Sequence, residues 1–115
     1  MNFVHLAAFQ HYNFRAMIKN FEDLDAYQRS KDLYPKVVLL TKNFSKEGFH
    51  LRDQVCRAAN SIQANIAEGF GRSQTEFKMY LTRALGSSNE LISHLEDAKN
   101  ATFADEKSIR NLMRE

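Results

Sequence analysis

Five basic residues in the middle of the sequence are the first candidates for chemistry with a ligand. Guanidinium and ammonium groups stay charged at neutral pH and bind phosphate oxygens directly. In a single chain such residues form an ordinary solvated surface, whereas repetition around an assembly creates a large basic face whose phosphate contacts add. Both interpretations stay open here, and the second predicts RNA or DNA as a partner. The five residues are Arg52, Arg57, Arg72, Lys78 and Arg83.

Asn65 and Glu68 are the most informative polar residues, because Asn65 lies on an otherwise apolar stripe and Glu68 follows one turn later. A buried amide or carboxylate needs hydrogen-bond partners. We interpret the pair as a structural network that joins the end of one helix to the following turn and to a neighbouring helix. A ligand-binding or catalytic role is the less favoured alternative.

Metal binding and catalysis find little support in the sequence. Glu90 and His94 are four residues apart and could face one ion, but the dinuclear sites of helical bundles use Glu-x-x-His, spaced three, on two helices. The single Cys56 is interpreted as a small hydrophobic residue. No Ser/His/Asp arrangement, P-loop or Cys/His cluster is visible in the sequence. We therefore expect no enzyme activity, no metal and no cofactor.

Two long amphipathic helices must position these residues. In the second predicted helix, about 49–68, apolar residues recur every three or four positions and so share one face. They are Leu51, Val55, Ala58, Ile62 and Ile66. The third predicted helix, about 74–100, carries a heptad seam. Its members are Phe77, Leu81, Ala84, Ser88, Leu91, Leu95 and Ala98.

The turn between these helices has well-marked signals. Gly69 and Gly71 permit the positive φ angles with which helices commonly end. Ser73 and Glu76 match a capping box. In that motif the Ser73 hydroxyl accepts from the Glu76 amide, and the Glu76 carboxylate accepts from the Ser73 amide. We therefore expect a helical hairpin with its elbow at this point.

The elbow also predicts which residues of the two helices meet. If the helices fold back about it, residues whose numbers sum to about 142 lie side by side. Ala58 would then meet Ala84, and Val55 would face Ser87 and Ser88. Because small residues meet small residues in this register, it favours tight antiparallel packing.

The first and last predicted helices are less regular. The first spans about 21–43 behind an Asn20 cap, and Pro35 inside it is expected to kink the helix or divide it in two. Thr102 or Asp105 begins a last helix of about three turns. A seam that a short last helix leaves uncovered usually marks an oligomer interface or a chain without its final turns.

Length and composition predict one domain, residues 20–115, after an N-terminal extension, residues 1–19, that is either flexible or folded against a neighbouring surface. No segment approaches the roughly 20 apolar residues that span a bilayer, and the N-terminus lacks the pattern of a secretory signal. We therefore expect a cytoplasmic protein without a membrane partner. The formal net charge of +2 argues only weakly for nucleic acid.

Two stretches of the sequence resemble a known family. The first contains LRDQV at residues 51–55 and SIQANIAEG at residues 61–69, and the second contains ALGSSNEL at residues 84–91. They match the pattern of the four-helix-bundle proteins encoded in 23S rRNA intervening sequences. The resemblance covers residues 20–115, while the short last helix and residues 1–19 depart from the family pattern.

The resemblance implies an all-α, up-down antiparallel four-helix bundle, here with a shortened last helix. It also implies a homo-oligomer, which is a pentameric ring in relatives such as the accessory protein of diversity-generating retroelements. That ring is basic and is associated with nucleic acid and reverse transcriptase. We therefore expect a non-enzymatic, oligomeric accessory module that associates with RNA or DNA through basic surface residues. The alternative is an oligomeric scaffold that binds another protein and has no nucleic-acid role.

Overall fold

The computed structural model describes residues 19–114, and this part of the chain folds into helices and the turns between them. Two 3₁₀ turns, Phe21–Asp23 and Lys46–Gly48, precede the first and second α-helices. The described residues contain no strand, so the predicted all-α bundle with a short last helix is confirmed. The α-helices are α1 Asp25–Thr41, α2 Phe49–Gly69, α3 Gln74–Asn100 and α4 Glu106–Met113.

α2 lies at the centre of the packing. α1 and α3 both pack along it, and α4 contacts α1 and α3. Apolar side chains from all four helices meet in one core, and their removal from water stabilises the bundle. The largest fully buried side chains include Leu24, Val55, Ile66, Phe77, Leu81, Leu95 and Ile109.

The apolar seams predicted for α2 and α3 face this core with one exception. In α3 the buried serine is Ser87, whereas the predicted Ser88 is only half-buried. An α-helix has 3.6 residues per turn, so its buried face drifts relative to a strict heptad pattern along a long helix. The buried positions of α2 are Val55, Ala58, Ala59, Ile62, Ile66 and Gly69.

α1 differs from the prediction at its start and in its interior. The extended backbone of Leu24, with φ −73° and ψ 128°, separates the first 3₁₀ turn from α1. The side chain of Leu24 is buried. The predicted division at Pro35 is wrong, because α1 continues through this residue. Pro35 and Lys31 are both exposed, so water can reach the Lys31 carbonyl, which would otherwise accept from the amide of residue 35.

The turn between α2 and α3 uses its two glycines in different ways. Gly71 has φ +87°, as predicted, but Gly69 is still helical. A Cβ atom on Gly69 would lie 2.5 Å from the Cβ atom of Tyr80, so this glycine permits a close approach of the helices. The predicted cap forms, because the Glu76 amide donates to the Ser73 hydroxyl at 3.2 Å. The Glu76 carboxylate accepts from that hydroxyl at 2.9 Å, where the sequence predicted the Ser73 amide as donor.

The register of α2 against α3 also differs from the prediction. The Ser87 hydroxyl donates to the Ser61 hydroxyl at 2.9 Å, so that paired residue numbers sum to 148 (61 plus 87). The predicted contact of Ala58 with Ala84 is therefore displaced by about six residues of α3, or roughly 9 Å along its axis. Gly69 meets Tyr80 in nearly the same register, with numbers that sum to 149, because its missing side chain lets α3 pack closely at this position.

Asp105, one of the two predicted caps, is the N-cap of α4. The Asp105 carboxylate accepts from the Ser108 amide at 2.8 Å and from the Ser108 hydroxyl at 2.6 Å. α4 has 8 residues and buries Ile109 and Leu112 against the other helices. The predicted N-terminal extension lies outside the described residues except for Lys19.

Candidate functional site

Two of the five predicted basic residues meet around one aromatic ring at the elbow. The guanidinium carbon of Arg72 lies 5.0 Å from the ring centre of Tyr80, and that of Arg83 lies 4.9 Å from the same centre. A guanidinium group is attracted to the electron-rich face of an aromatic ring. We call Arg72, Tyr80 and Arg83 the elbow cluster.

Arg72 is held in place by the ends of both long helices. Its Nε donates to the Glu68 carbonyl at 2.8 Å, and one terminal nitrogen donates to the Glu68 carboxylate at 2.8 Å. The other terminal nitrogen lies 3.5 Å from the Glu76 carboxylate. The side-chain hydrogen bond to Glu68 is the main cause that raises the pKa of Arg72 above its ordinary value. Arg72 is therefore a fixed cation, and the two carboxylates beside it more than compensate its single charge.

The elbow cluster depends on the conformation of the turn. Arg83 follows Tyr80 by three residues in α3, so the helix itself places the two side chains together. Arg72 lies in the turn, next to Gly71 with its positive φ, and the close approach of α2 and α3 at Gly69 brings Tyr80 to the same turn. Tyr80 was missed by the sequence reasoning. Its spacing from Arg83 is a signal that could have found one half of the cluster.

Arg52 and Arg57 do not join the elbow cluster. Arg57 pairs with Asp53 at 3.1 Å and lies twelve residues before Gly69, or roughly 18 Å along α2. The Nε atom of Arg52 is buried, and within the described residues it has no hydrogen-bond partner. The five predicted residues therefore do not form one continuous patch within a single chain.

Lys78 is exposed on another side of α3 from the elbow cluster. It precedes Tyr80 by two residues, which is a rotation of roughly 200° about the helix axis. Arg83 is also exposed, and its guanidinium group contacts the Tyr80 ring and forms no ion pair with residues 19–114. Of the predicted set, Arg83 combines an uncompensated charge with a defined position.

Asn65 and Glu68 lie in two separate hydrogen-bond networks. The Asn65 side chain donates to the Ser61 carbonyl at 2.8 Å and to the Ser61 hydroxyl at 3.0 Å. The same hydroxyl accepts from Ser87, so this half-buried network joins α2 to α3. Glu68 is exposed and binds Arg72 at the elbow. The structure thus separates two residues that the sequence treated as one network.

Glu90 and His94 form a pair on α3. His94 Nε2 lies 3.3 Å from a Glu90 carboxylate oxygen, which is the contact expected from their spacing of four. Within the described residues, no group of three or more His, Cys, Asp or Glu side chains is arranged to hold a metal ion. Glu90 is exposed, whereas His94 is half-buried and its Nδ1 atom is buried without a hydrogen-bond partner among the described residues.

A comparison with known protein families identifies the family of this chain. A family model described as "23S rRNA-intervening sequence protein" matches residues 22–115, which include all four helices and the elbow cluster. The chain belongs to this family. Membership in the 23S rRNA-intervening sequence protein family confirms the resemblance carried by residues 51–69 and 84–91. A search of curated proteins finds no match.

The elbow cluster suits electrostatic recognition. The nitrogens of Arg72 face Glu68 and Glu76, whereas the guanidinium group of Arg83 is exposed, and its planar N–H donors match phosphate oxygens. None of the helices described over residues 19–114 is long and apolar enough to cross a membrane.

Proposed function

We propose that this member of the 23S rRNA-intervening sequence protein family is a non-enzymatic, oligomeric module that associates with RNA or DNA. It contacts phosphates rather than base edges. The observation that carries the proposal is the elbow cluster, in which Arg72 is fixed and Arg83 adds an exposed cation on the same aromatic ring. Arg52, Arg57 and Lys78 extend the basic surface at other positions.

The two arginines of the elbow cluster have different roles, because, among the described residues, carboxylates lie beside Arg72 and not beside Arg83. Glu68 and Glu76 compensate Arg72, so this residue organises the elbow and contributes little net charge. Arg83 is the cation of the elbow cluster that forms no ion pair within residues 19–114. A single such charge binds a phosphate weakly, and affinity requires several copies that act together.

Self-association provides those copies in our proposal. Leu39 and Phe49 are 69% and 66% exposed, and they lie at the end of α1 and the start of α2. Exposed apolar side chains of this size are typical of protein interfaces. We propose a homo-oligomer that buries this end of the bundle. The family resemblance favours five copies, and a ring would then present Arg83 five times.

A binding measurement with matched variants tests the proposal. A fluorescently labelled RNA hairpin is titrated with wild type, Arg83→Ala and Arg110→Ala, and fluorescence anisotropy reports the affinity. Arg110 is an exposed arginine of α4 that pairs with Glu106. Arg110→Ala therefore removes the same formal charge as Arg83→Ala, but at a position away from the elbow. Hydrogen bonds to charged groups contribute about 1.5–3 kcal/mol, so we expect Arg83→Ala to weaken binding roughly 10- to 100-fold. Equal losses in both variants would show that the elbow cluster is not the contact surface.

A protein-binding scaffold is the second candidate function. Met79 is 45% exposed in addition to Leu39 and Phe49, and such side chains equally suit a protein partner. In this alternative the oligomer binds another protein and has no affinity for RNA at low salt. The free Cys56 suits a reducing compartment, and we place either function in the cytoplasm.

A further inference from the structure

The exposed cation of the elbow cluster is surrounded by apolar surface on α3. Met79 precedes Arg83 by four residues and Gly86 follows it by three, so the helix places both next to Arg83. Met79 is 45% exposed, and nothing lies within 4 Å of the Cβ position of Gly86. Arg83 therefore lies among an aromatic ring, an exposed thioether and an open position without a side chain. We call Met79, Tyr80, Arg83 and Gly86 the Arg83 platform.

The charges around the elbow do not suit a long row of phosphates. Arg72 and Arg83 carry two positive charges. Glu68 and Glu76 carry two negative charges beside Arg72, so the four formal charges cancel. Glu90 adds another exposed acid two turns after Arg83 on the same helix. A duplex presents mainly its phosphates and sugars to a protein surface, and affinity through phosphates alone requires several cations.

The Arg83 platform suits the flat face of an unpaired base. Unpaired bases stack on aromatic rings and on guanidinium planes, whereas the bases of a duplex are already stacked on one another. The planar guanidinium group of Arg83 offers both kinds of contact that a nucleotide needs. Its face can cover a base, and its N–H edge can donate to a phosphate oxygen. The exposed thioether of Met79 adds a polarizable group that makes favourable contacts with aromatic rings.

We propose that the elbow site takes an unpaired nucleotide, which rests on the proposed association with RNA or DNA and narrows it to single strands and loops. The base stacks on the Arg83 platform, and the phosphate of that nucleotide accepts from the edge of the Arg83 guanidinium group. Tyr80 positions this group through the contact at 4.9 Å. Because no base edge is read, the preference for single strands is independent of base sequence.

Three fluorescently labelled RNA probes of about 12 nucleotides separate stacking from phosphate contact. The first is a single strand without self-complementarity, and the second is the blunt duplex that it forms with its complement. The third is the same single strand with abasic residues, which keeps every phosphate and lacks the bases. Anisotropy titrations at about 50 mM salt measure the three affinities. We expect the first probe to bind roughly 5- to 150-fold more tightly than either of the others, which is the range that stacking of one base gives.

Arg83→Lys is the decisive variant, because it keeps the positive charge and removes the planar guanidinium group. We expect it to weaken binding of the single strand at least about fivefold and to leave binding of the duplex and of the abasic strand unchanged. Arg110→Lys is the matched control, because Arg110 is an exposed arginine of α4 away from the elbow. This control should leave all three affinities unchanged. Circular dichroism verifies that both variants are helical.

The outcomes distinguish this inference from the proposed function. Equal affinity for the single strand and the abasic strand would overturn the unpaired-nucleotide site, although nucleic-acid binding would stand. A preference for the single strand that Arg83→Lys leaves intact would overturn the assignment to the Arg83 platform. Tighter binding of the duplex would show that phosphates alone are recognised, which also overturns the inference. No binding of any probe at about 50 mM salt would overturn the proposed function and this inference with it.

Discussion

The absence of a side chain at Gly69 decides how closely the two long helices approach each other. This glycine is the last residue of α2, and its backbone lies against the second turn of α3 at Tyr80. Two residues later Gly71 is needed for its left-handed conformation instead. Sequence predicted the same role for both, because a contact between helices cannot be inferred from local glycine chemistry.

Replacement of Gly69 by alanine is expected to destabilise the protein. The added Cβ atom would lie 2.5 Å from the Cβ atom of Tyr80, so the helices must separate or the turn must shift. Overpacking of this kind costs about 1–3 kcal/mol in the free energy of unfolding, which urea denaturation measures. Gly86→Ala is the control, because nothing lies within 4 Å of its Cβ position in the middle of α3. We expect that control to gain about 0.5–1 kcal/mol, and a loss equal to that of Gly69→Ala would contradict the assigned contact.

The Asp105 cap makes a pH-dependent contribution to α4. The Ser108 hydroxyl is the main cause that lowers the pKa of the Asp105 carboxyl below its usual range. A lowered folded-state pKa means that the stabilisation is complete above the unfolded-state value and is lost as pH falls through the folded-state value. We expect an NMR titration to find the Asp105 pKa below that of an ordinary aspartate, and Ser108→Ala to raise it. An unchanged pKa in Ser108→Ala would contradict the observed hydrogen bond.

At the scale of elements, local signals in the sequence were sufficient to predict the bounds of the two long helices. The spacing of apolar residues and the Ser73 cap predicted 49–68 and 74–100, and the helices span Phe49–Gly69 and Gln74–Asn100. The register between them was not predictable in the same way. It depends on the path of the four turn residues and on the contact at Gly69, and both are properties of the folded hairpin.

The candidate site shows the same limit. The basic residues could be read from the sequence, but which of them meet could not. Arg83 and Tyr80 are neighbours within one helix, whereas Arg72 joins them through the turn. The continuity of α1 through Pro35 could not be predicted from the sequence either. The energetic penalty of this proline is reduced because its face of the helix is exposed to water, and that exposure is a property of the folded protein.

The turn that follows α3 contains a residue in a conformation that its side chain disfavours. Thr102 has φ 61° and follows the helix cap, where the Phe103 amide donates to the Ala98 carbonyl at 2.9 Å. Glycine usually occupies this position, because a β-branched residue in the left-handed region costs about 1–2 kcal/mol. Thr102→Gly should therefore stabilise the protein by roughly 0.5–1 kcal/mol, after the greater freedom of glycine in the unfolded chain is subtracted.

The matched control for this change is Thr82→Gly. Thr82 is an exposed threonine inside α3, where glycine adds the same freedom to the unfolded chain without relief of strain. Thermal denaturation should therefore show a higher midpoint for Thr102→Gly and a lower one for Thr82→Gly. Two variants that both lose stability would contradict the strain assigned to Thr102.

At the scale of the whole molecule, we predict a homo-oligomer that is held together by the exposed end of the bundle. Light scattering at micromolar concentration should give a multiple of the 13.3 kDa chain mass. Phe49→Asp should reduce that mass, because a charge at a 66% exposed position costs little in the monomer and much in an apolar interface. A monomer mass for the wild type would contradict the assembly and with it the repeated basic surface.

The salt dependence of RNA binding tests the central claim most directly. Fluorescence anisotropy of a labelled RNA hairpin is measured between about 50 and 200 mM salt for wild type, Arg83→Ala and Arg110→Ala. Our account predicts that the logarithm of the wild-type affinity falls linearly with the logarithm of salt concentration, by about 0.7–0.9 for each phosphate contacted. It predicts a shallower slope for Arg83→Ala and an unchanged slope for Arg110→Ala. A wild type that does not bind RNA even at the lowest salt would contradict the nucleic-acid function, and the protein-binding scaffold would take its place.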